Sequence, residues 1–106
     1  MLDYSKSKVY VVKNKVNDLV YVGSTTLKLD NRFYLHKSRG STCSLNYYVK
    51  NNFNGNWTNF YIELATDYPC NNKYELSLKE EEVLSQYPNH INKNNPKIPT
   101  NNTNTL

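Results

Sequence analysis

The sequence predicts a small α+β domain, a three-stranded sheet with helices packed on it. Two β-branched and aromatic runs, residues 8–13 and 19–23, are separated by a short polar stretch. A third run, 59–65, alternates apolar and polar residues. Helical patterns follow the second and third runs, so the order of elements is ββααβα. A chain of 106 residues holds one domain with a modest core.

The first strand reads Lys8-Val9-Tyr10-Val11-Val12-Lys13 and the second Leu19-Val20-Tyr21-Val22-Gly23. The turn-rich segment from Asn14 to Asp18 joins them as an antiparallel hairpin. Ser24, Thr25 and Thr26 offer N-cap oxygens for a helix from Leu27 to Ser38, which Arg39-Gly40 ends. A second helix is expected from Leu45 to Asn52, and Asn54-Gly55-Asn56 reads as a turn. In the third strand, Phe60, Ile62 and Leu64 should share one face. Asn71 or Asn72 can cap the last helix, with Glu75 completing a capping box, and Pro88 stops it after Tyr87. The domain is expected to cover residues 1–98. The polar run 99–106 cannot bury a core and is expected to fray.

Hydrophobic residues make up 38% and charged residues 21% of the chain, an ordinary globular composition. The net charge of +4 favours polyanionic partners. The ten tyrosines suit stacking and phosphate contacts as well as core packing. No apolar run is long enough to span a membrane and no signal-peptide pattern is visible, so an intracellular protein, cytoplasmic, nuclear or virus-encoded, is expected. Cys43 and Cys70 are expected to be reduced thiols. Together with His36 and His90 they lack the tight spacing of a zinc knuckle.

Glu80 is the sharpest local signal. Leu76, Val83, Leu84 and Tyr87 form one stripe of the last helix, and Glu80 points with that stripe while Glu81 and Glu82 point away. A carboxylate there needs a partner: either a salt bridge with Arg or Lys, an exposed stripe edge, or a metal ion that keeps most of its waters, as Mg²⁺ does. Arg32 and His36, four residues apart, share one helix face. They could neutralise a phosphate and handle a proton, or be ordinary surface residues. Tyr10 and Tyr21 come from paired strands and can emerge on the same face, as a phosphate-binding or proton-accepting pair or as core.

Together these residues resemble the GIY-YIG nuclease family. Val9-Tyr10 resembles the end of its first motif and Tyr21-Val22-Gly23 its second. Arg32 matches the family's arginine, His36 its common histidine, Glu80 its metal-binding glutamate ahead of the aliphatic pair Val83-Leu84, and Asn92 the asparagine after the final helix. Lys8 stands where the first motif carries glycine, and Val83 where an aromatic is usual. The likeness covers residues 8–97.

The resemblance implies a three-stranded antiparallel sheet flanked by helices and a metal-dependent DNA endonuclease using a single metal. Glu80 would hold Mg²⁺ or Mn²⁺, and Arg32 would stabilise the pentacovalent phosphate. Tyr10 or His36 would be the base, and Tyr21 and Asn92 would position phosphate or Tyr10. Lys13, Lys28, Lys37 and Arg39, with Lys6, Lys15 and Lys50, are candidates for DNA-backbone contacts. Double-stranded or branched DNA is the expected partner, with a partner protein as one route to targeting. The rival expectations are a catalytically inactive nucleic-acid-binding domain of the same fold and a small interaction protein.

Overall fold

Four consecutive residues, Val9 to Val12, are each no more than 2% exposed in the computed structural model. A strand buried on both faces must be central, and this one is. The structure describes residues 3–38 and 43–92. Strands β1 (Lys8–Asn14), β2 (Tyr21–Thr25) and β3 (Phe60–Asp67) form an antiparallel sheet in the order β2-β1-β3. Helices α1 (Leu29–Lys37) and α2 (Ser44–Phe53) lie between β2 and β3 in the chain, and α3 (Lys73–Leu84) follows β3. A short 3-10 turn, Tyr4–Lys6, precedes β1.

The alternation of β1 divides the core. Val9 and Val11 pack with Val20, Val22, Leu76, Val83 and Leu84, which is the side of α3. Tyr10 and Val12 pack with Leu45, Val49 and Phe60, and with the partly buried Tyr21, Leu29 and Phe33, on the side of α1 and α2. The β1–β2 turn is organised by buried Asn14. Its Oδ1 accepts from the Val16 and Asn17 amides, and its Nδ2 donates to the Leu19 carbonyl.

The open edge of β2 is closed by the chain after α3, which spares the sheet an unpaired edge. The Ile91 amide donates to the Val20 carbonyl at 2.8 Å and the Val20 amide to the Asn89 carbonyl at 3.1 Å. Asn92 continues the pairing with its side chain. Its Oδ1 accepts from the Val22 amide at 3.0 Å and its Nδ2 donates to the Val22 carbonyl at 2.7 Å.

Several expected boundaries move. Ser24 and Thr25 are not helix caps. They pair with Val9 and Lys8 as the last residues of β2, and α1 begins after Lys28 with no side-chain cap. The lysine at the first-motif position ties this corner together, because Lys8 Nζ donates to the carbonyls of Lys6 and Leu27. Leu64 is 47% exposed rather than facing the core with Phe60 and Ile62. The β1–β3 register is irregular between Val9 and Tyr10, beside Leu64. The final helix stops at Leu84, and Asn72 caps it as expected by accepting from the Glu75 amide. Glu75 returns a bond to the Asn71 amide rather than to that of Asn72. Arg39 and the 99–106 segment lie outside the described residues.

Candidate active site

Tyr10 pairs with Gly23 and Val12 with Tyr21, so both phenols leave the sheet on one face. Tyr10 is fully buried and lies across Gly23. A Cβ on Gly23 would collide with the Tyr10 hydroxyl and ring. The glycine of the Tyr21-Val22-Gly23 motif is therefore required by close approach of a side chain rather than by its backbone angles.

Helix α1 delivers two side chains to that hydroxyl. Arg32 Nε donates to Tyr10 Oη at 3.1 Å, and His36 Nε2 lies 2.6 Å from the same oxygen. The His36 ring, 1% exposed, stands edge-on to both phenols, with centroids 5.7 Å from Tyr10 and 5.2 Å from Tyr21. Its Nδ1 is 3.2 Å from Cys43 Sγ at the start of α2. One turn on, Asn46 Nδ2 donates to the His36 carbonyl at 2.8 Å. Cys43, just before α2, and Asn46 within it thus grip the same residue of α1.

Burial dominates the electrostatics. It pushes the Tyr10 phenol up to about 12, against the opposing charge and hydrogen bond of Arg32. Burial, followed by the neighbouring Tyr10, also raises Tyr21. His36 is lowered to about 4, by burial first and then by the Arg32 charge. Burial weighs against the Arg32 charge, but the phenols outweigh it and its pKa is raised. At neutral pH the cluster is a cation, two neutral phenols and a neutral imidazole.

Glu80 arrives from the other face of the sheet. It projects from α3 into a cleft of about 500 Å³ whose walls include Ser24, Arg32, Tyr4, Lys73 and Ser77. Ser24 Oγ donates to Glu80 Oε1 at 2.6 Å. Among the described residues the ion pairs are Lys13–Glu63 and Lys79–Glu82, and Glu80 is in neither, although Arg32 and Lys73 line its cleft. The salt-bridge alternative for this carboxylate is therefore not formed among the described residues. Its charge reaches both phenols, adding to the burial that raises them.

The donor set fits one hard, well-hydrated cation. A single half-buried carboxylate faces the cleft, one oxygen is steadied by Ser24, and no described side chain bonds the other. Among the described residues no group of three or more His, Cys, Asp or Glu could hold a metal. A lone carboxylate of this kind would suit an ion that keeps most of its waters. The zinc set considered from sequence is not assembled, since Cys43 and Cys70 pack on opposite faces of the sheet.

Tyr10, Tyr21, Arg32, His36 and Glu80 are gathered around the β2 end of the sheet, with Arg32 common to the phenol cluster and the cleft. Asn92 stands behind them, with its amide committed to the Val22 main chain between Tyr21 and Gly23. Of the basic candidates, Lys13 is paired with Glu63, Lys28 is exposed at the start of α1, and Lys37 lies 4.7 Å over the Phe33 ring. Sequence reasoning missed Ser24 as the partner of Glu80, and Lys73 as a cleft residue. Extending the alternation of β2 by one residue would have placed Ser24 with Val22, facing α3.

The chain matches the model of the GIY-YIG catalytic domain over residues 6–95. It belongs to the GIY-YIG family. The family's enzymes are nucleases that act on DNA and generally depend on a divalent metal. This GIY-YIG domain is also 31% identical over 85 residues to the MSV199 domain-containing protein 146R of invertebrate iridescent virus 6. That match takes in 77% of this chain, and the chain spans about a third of the relative's length (34%). No solved structure matches it. No helix among the described residues is long and apolar enough to cross a membrane.

Proposed function

We propose that this GIY-YIG domain is a DNA endonuclease that hydrolyses phosphodiester bonds with one divalent metal, Mg²⁺ or Mn²⁺, held by Glu80. The observation that carries the reading is Arg32. The same side chain lines the Glu80 cleft and is bonded to the Tyr10–His36 pair. A phosphate in that cleft would meet the Arg32 guanidinium, and Glu80 would hold the metal. The metal, when bound, supplies Lewis-acid stabilisation of the developing phosphate charge and the leaving oxygen.

The chain's own residues handle the water. Neither His36 nor Tyr10 is open to solvent in the resting protein. Both nitrogens of His36 are engaged, whereas Tyr10 Oη borders Arg32, the residue that opens onto the cleft. A phosphate that draws the guanidinium towards itself exposes Tyr10 Oη to the attacking water. The oxygen accepts the water's proton as its own proton passes to His36 Nε2, the new O–P bond forms, and the bond to the 3′ oxygen breaks. The phosphate also offsets the Arg32 charge that helps depress His36, so the ring is a better acceptor with substrate bound. Arg32 donates to the pentacovalent phosphate. Tyr21 would position phosphate or Tyr10 from beside His36, and Asn92 would hold the strand that carries it through Val22. Lys13, Lys28, Lys37 and Arg39, with Lys73 in the cleft, would contact the DNA backbone.

Purified protein should nick supercoiled plasmid in Mg²⁺ or Mn²⁺. Glu80→Ala should lower the rate by about a thousandfold, as loss of a principal charge-stabilising group does, with its thermal melt close to wild type. Cleavage that survives this change removes Glu80 from the mechanism. DNA binding without cleavage by the wild-type protein would favour the inactive-domain alternative.

A further inference from the structure

We propose that Cys43 is a positioning residue for the Tyr10 phenol, acting through His36. Its sulfur accepts the Nδ1 proton of a neutral ring, so that Nε2 is left bare to accept from Tyr10.

The direction of each hydrogen bond in the cluster follows from the one before it. Arg32 carries only donors, so its Nε–H must donate to Tyr10 Oη. Tyr10 is fully buried, and its one hydroxyl hydrogen has His36 Nε2 as an acceptor 2.6 Å away. A buried hydroxyl that failed to donate there would be left without an acceptor and carry the desolvation cost of an unpaired polar group. Nε2 is therefore the unprotonated nitrogen. A neutral imidazole with a bare Nε2 carries its proton on Nδ1, and 3.2 Å from Nδ1 lies Cys43 Sγ. The chain of donors runs Arg32 to Tyr10 to His36 to Cys43.

The groups facing the ring agree with its neutrality. Tyr10 and Tyr21 from the sheet and Cys43 from the N-cap of α2 are weak acids, and Arg32 from α1 is a cation. A carboxylate behind the histidine would favour the imidazolium, whose Nε2–H would then point at Tyr10 and reverse the bond. Sulfur is a weaker acceptor. It can orient the ring and select the tautomer without charging it. The second grip from α2, Asn46 on the His36 carbonyl, holds the backbone while Cys43 holds the ring. The protonation form is a statement about the protein alone. Its catalytic consequence rests on the nuclease reading.

The two can be tested apart. The chain has two histidines, His36 and His90. Imidazole ¹⁵N spectra of labelled protein, with His90→Gln giving the assignment, report the tautomer with neither DNA nor metal present. Wild type at neutral pH should show a protonated Nδ1 and an unprotonated Nε2 for His36. Cys43→Ser should keep that pattern and most of the cleavage rate. Cys43→Ala should shift the ring towards the other tautomer and lower kcat by about ten- to a hundredfold, within the range general-base handling supplies, with DNA affinity unchanged. Cys43→Asp should charge the ring and move the acid limb of the pH–rate profile upward. A protonated Nε2 in wild type, or a Cys43→Ala protein with wild-type tautomer and kcat, overturns the proposal. A wild-type protein that has the expected tautomer and cleaves no DNA would sink the nuclease reading and leave the ring assignment standing.

Discussion

On the α3 side of the sheet the buried cluster is aliphatic: Val9, Val11, Val20, Val22, Leu76, Val83 and Leu84. On the α1–α2 side, Val12, Leu45 and Val49 share the buried cluster with Tyr10 and Phe60, and the partly buried Tyr21, Phe33, Tyr48, Phe53 and Trp57 add an aromatic layer with His36 inside it. An aliphatic layer asks only for volume. An aromatic layer containing a phenol and an imidazole also has polar atoms to satisfy, and here they are satisfied by one another and by Arg32 and Cys43. One face of the sheet supplies stability and the other holds a preorganised polar chain. The candidate site lies where the two meet, because Ser24 and Glu80 belong to the α3 side while Arg32 reaches in from α1.

That division predicts a double dissociation. Arg32→Ala should cut kcat by about a thousandfold, about 4 kcal/mol of transition-state stabilisation. It should barely move the melting curve, since Tyr10 keeps its bond to His36. Leu84→Ala should do the reverse. A 4% exposed leucine truncated in an aliphatic core costs about 3 kcal/mol of stability, while kcat per folded molecule in the cold stays near wild type. Parallel denaturant melts and plasmid-nicking rates of the two variants measure this. If Leu84→Ala damages kcat as much as Arg32→Ala does, the two faces do not divide the labour as described.

The faces should also differ in their response to acid. His36 is lowered to about 4 from an ordinary 6.5, by burial and then by Arg32. Below pH 6.5 the unfolded chain binds a proton that the folded chain refuses until about pH 4. The stability this ring contributes is therefore whole above pH 6.5 and lost as pH falls towards 4, on the order of 3 kcal/mol. Urea melts across that window should show the slope in wild type, and His36→Gln should flatten it. Leu84→Ala should lower the whole curve and keep its shape. A His36→Gln curve as steep as wild type would mean that the acid sensitivity resides in the carboxylates instead.

How much of this was legible in the sequence depended on whether the signal was local. Val9 to Val12 reads as a strand because four consecutive β-branched or aromatic residues favour nothing else. The common face of Tyr10 and Tyr21 follows from the two-residue period once the hairpin is assumed, and the pairing of Tyr10 with Gly23 bears it out. Glu80 was found by helical phase alone, and it does face the sheet edge rather than solvent. Ser24 and Thr25 misled because Ser and Thr favour helix caps locally, whereas pairing with Val9 and Lys8 keeps them in β2. Leu64 misled because alternation presumes an unbroken register, and the register breaks beside it. Cys43 was weighed with His36 only as part of a zinc set, and carried no signal of holding its ring. Its contact with His36 exists only through the packing of α2 on α1, which no sequence period encodes. Asn92 was visible only through the family resemblance, since a side chain that completes a sheet ladder has no local pattern.

Ser24 offers the finest test of the boundary between the faces. Its hydroxyl donates to one oxygen of Glu80 at 2.6 Å, so it steadies the carboxylate, and in the proposed site the second oxygen would take the cation. Removing it leaves the ligand in place and frees its rotation. Ser24→Ala should therefore act on metal affinity before chemistry. The Mg²⁺ concentration for half-maximal nicking should rise about tenfold, in line with the loss of an outer partner of a metal ligand, and most of kcat should return at saturating metal. Glu80→Ala should show no such return at any concentration. The cost in folding stability should stay near 1 kcal/mol, the net worth of one exchanged hydrogen bond. An unchanged metal dependence in Ser24→Ala would mean that α3 alone fixes the carboxylate, and the aliphatic side of the sheet would then contribute Glu80 to the site with no help from β2.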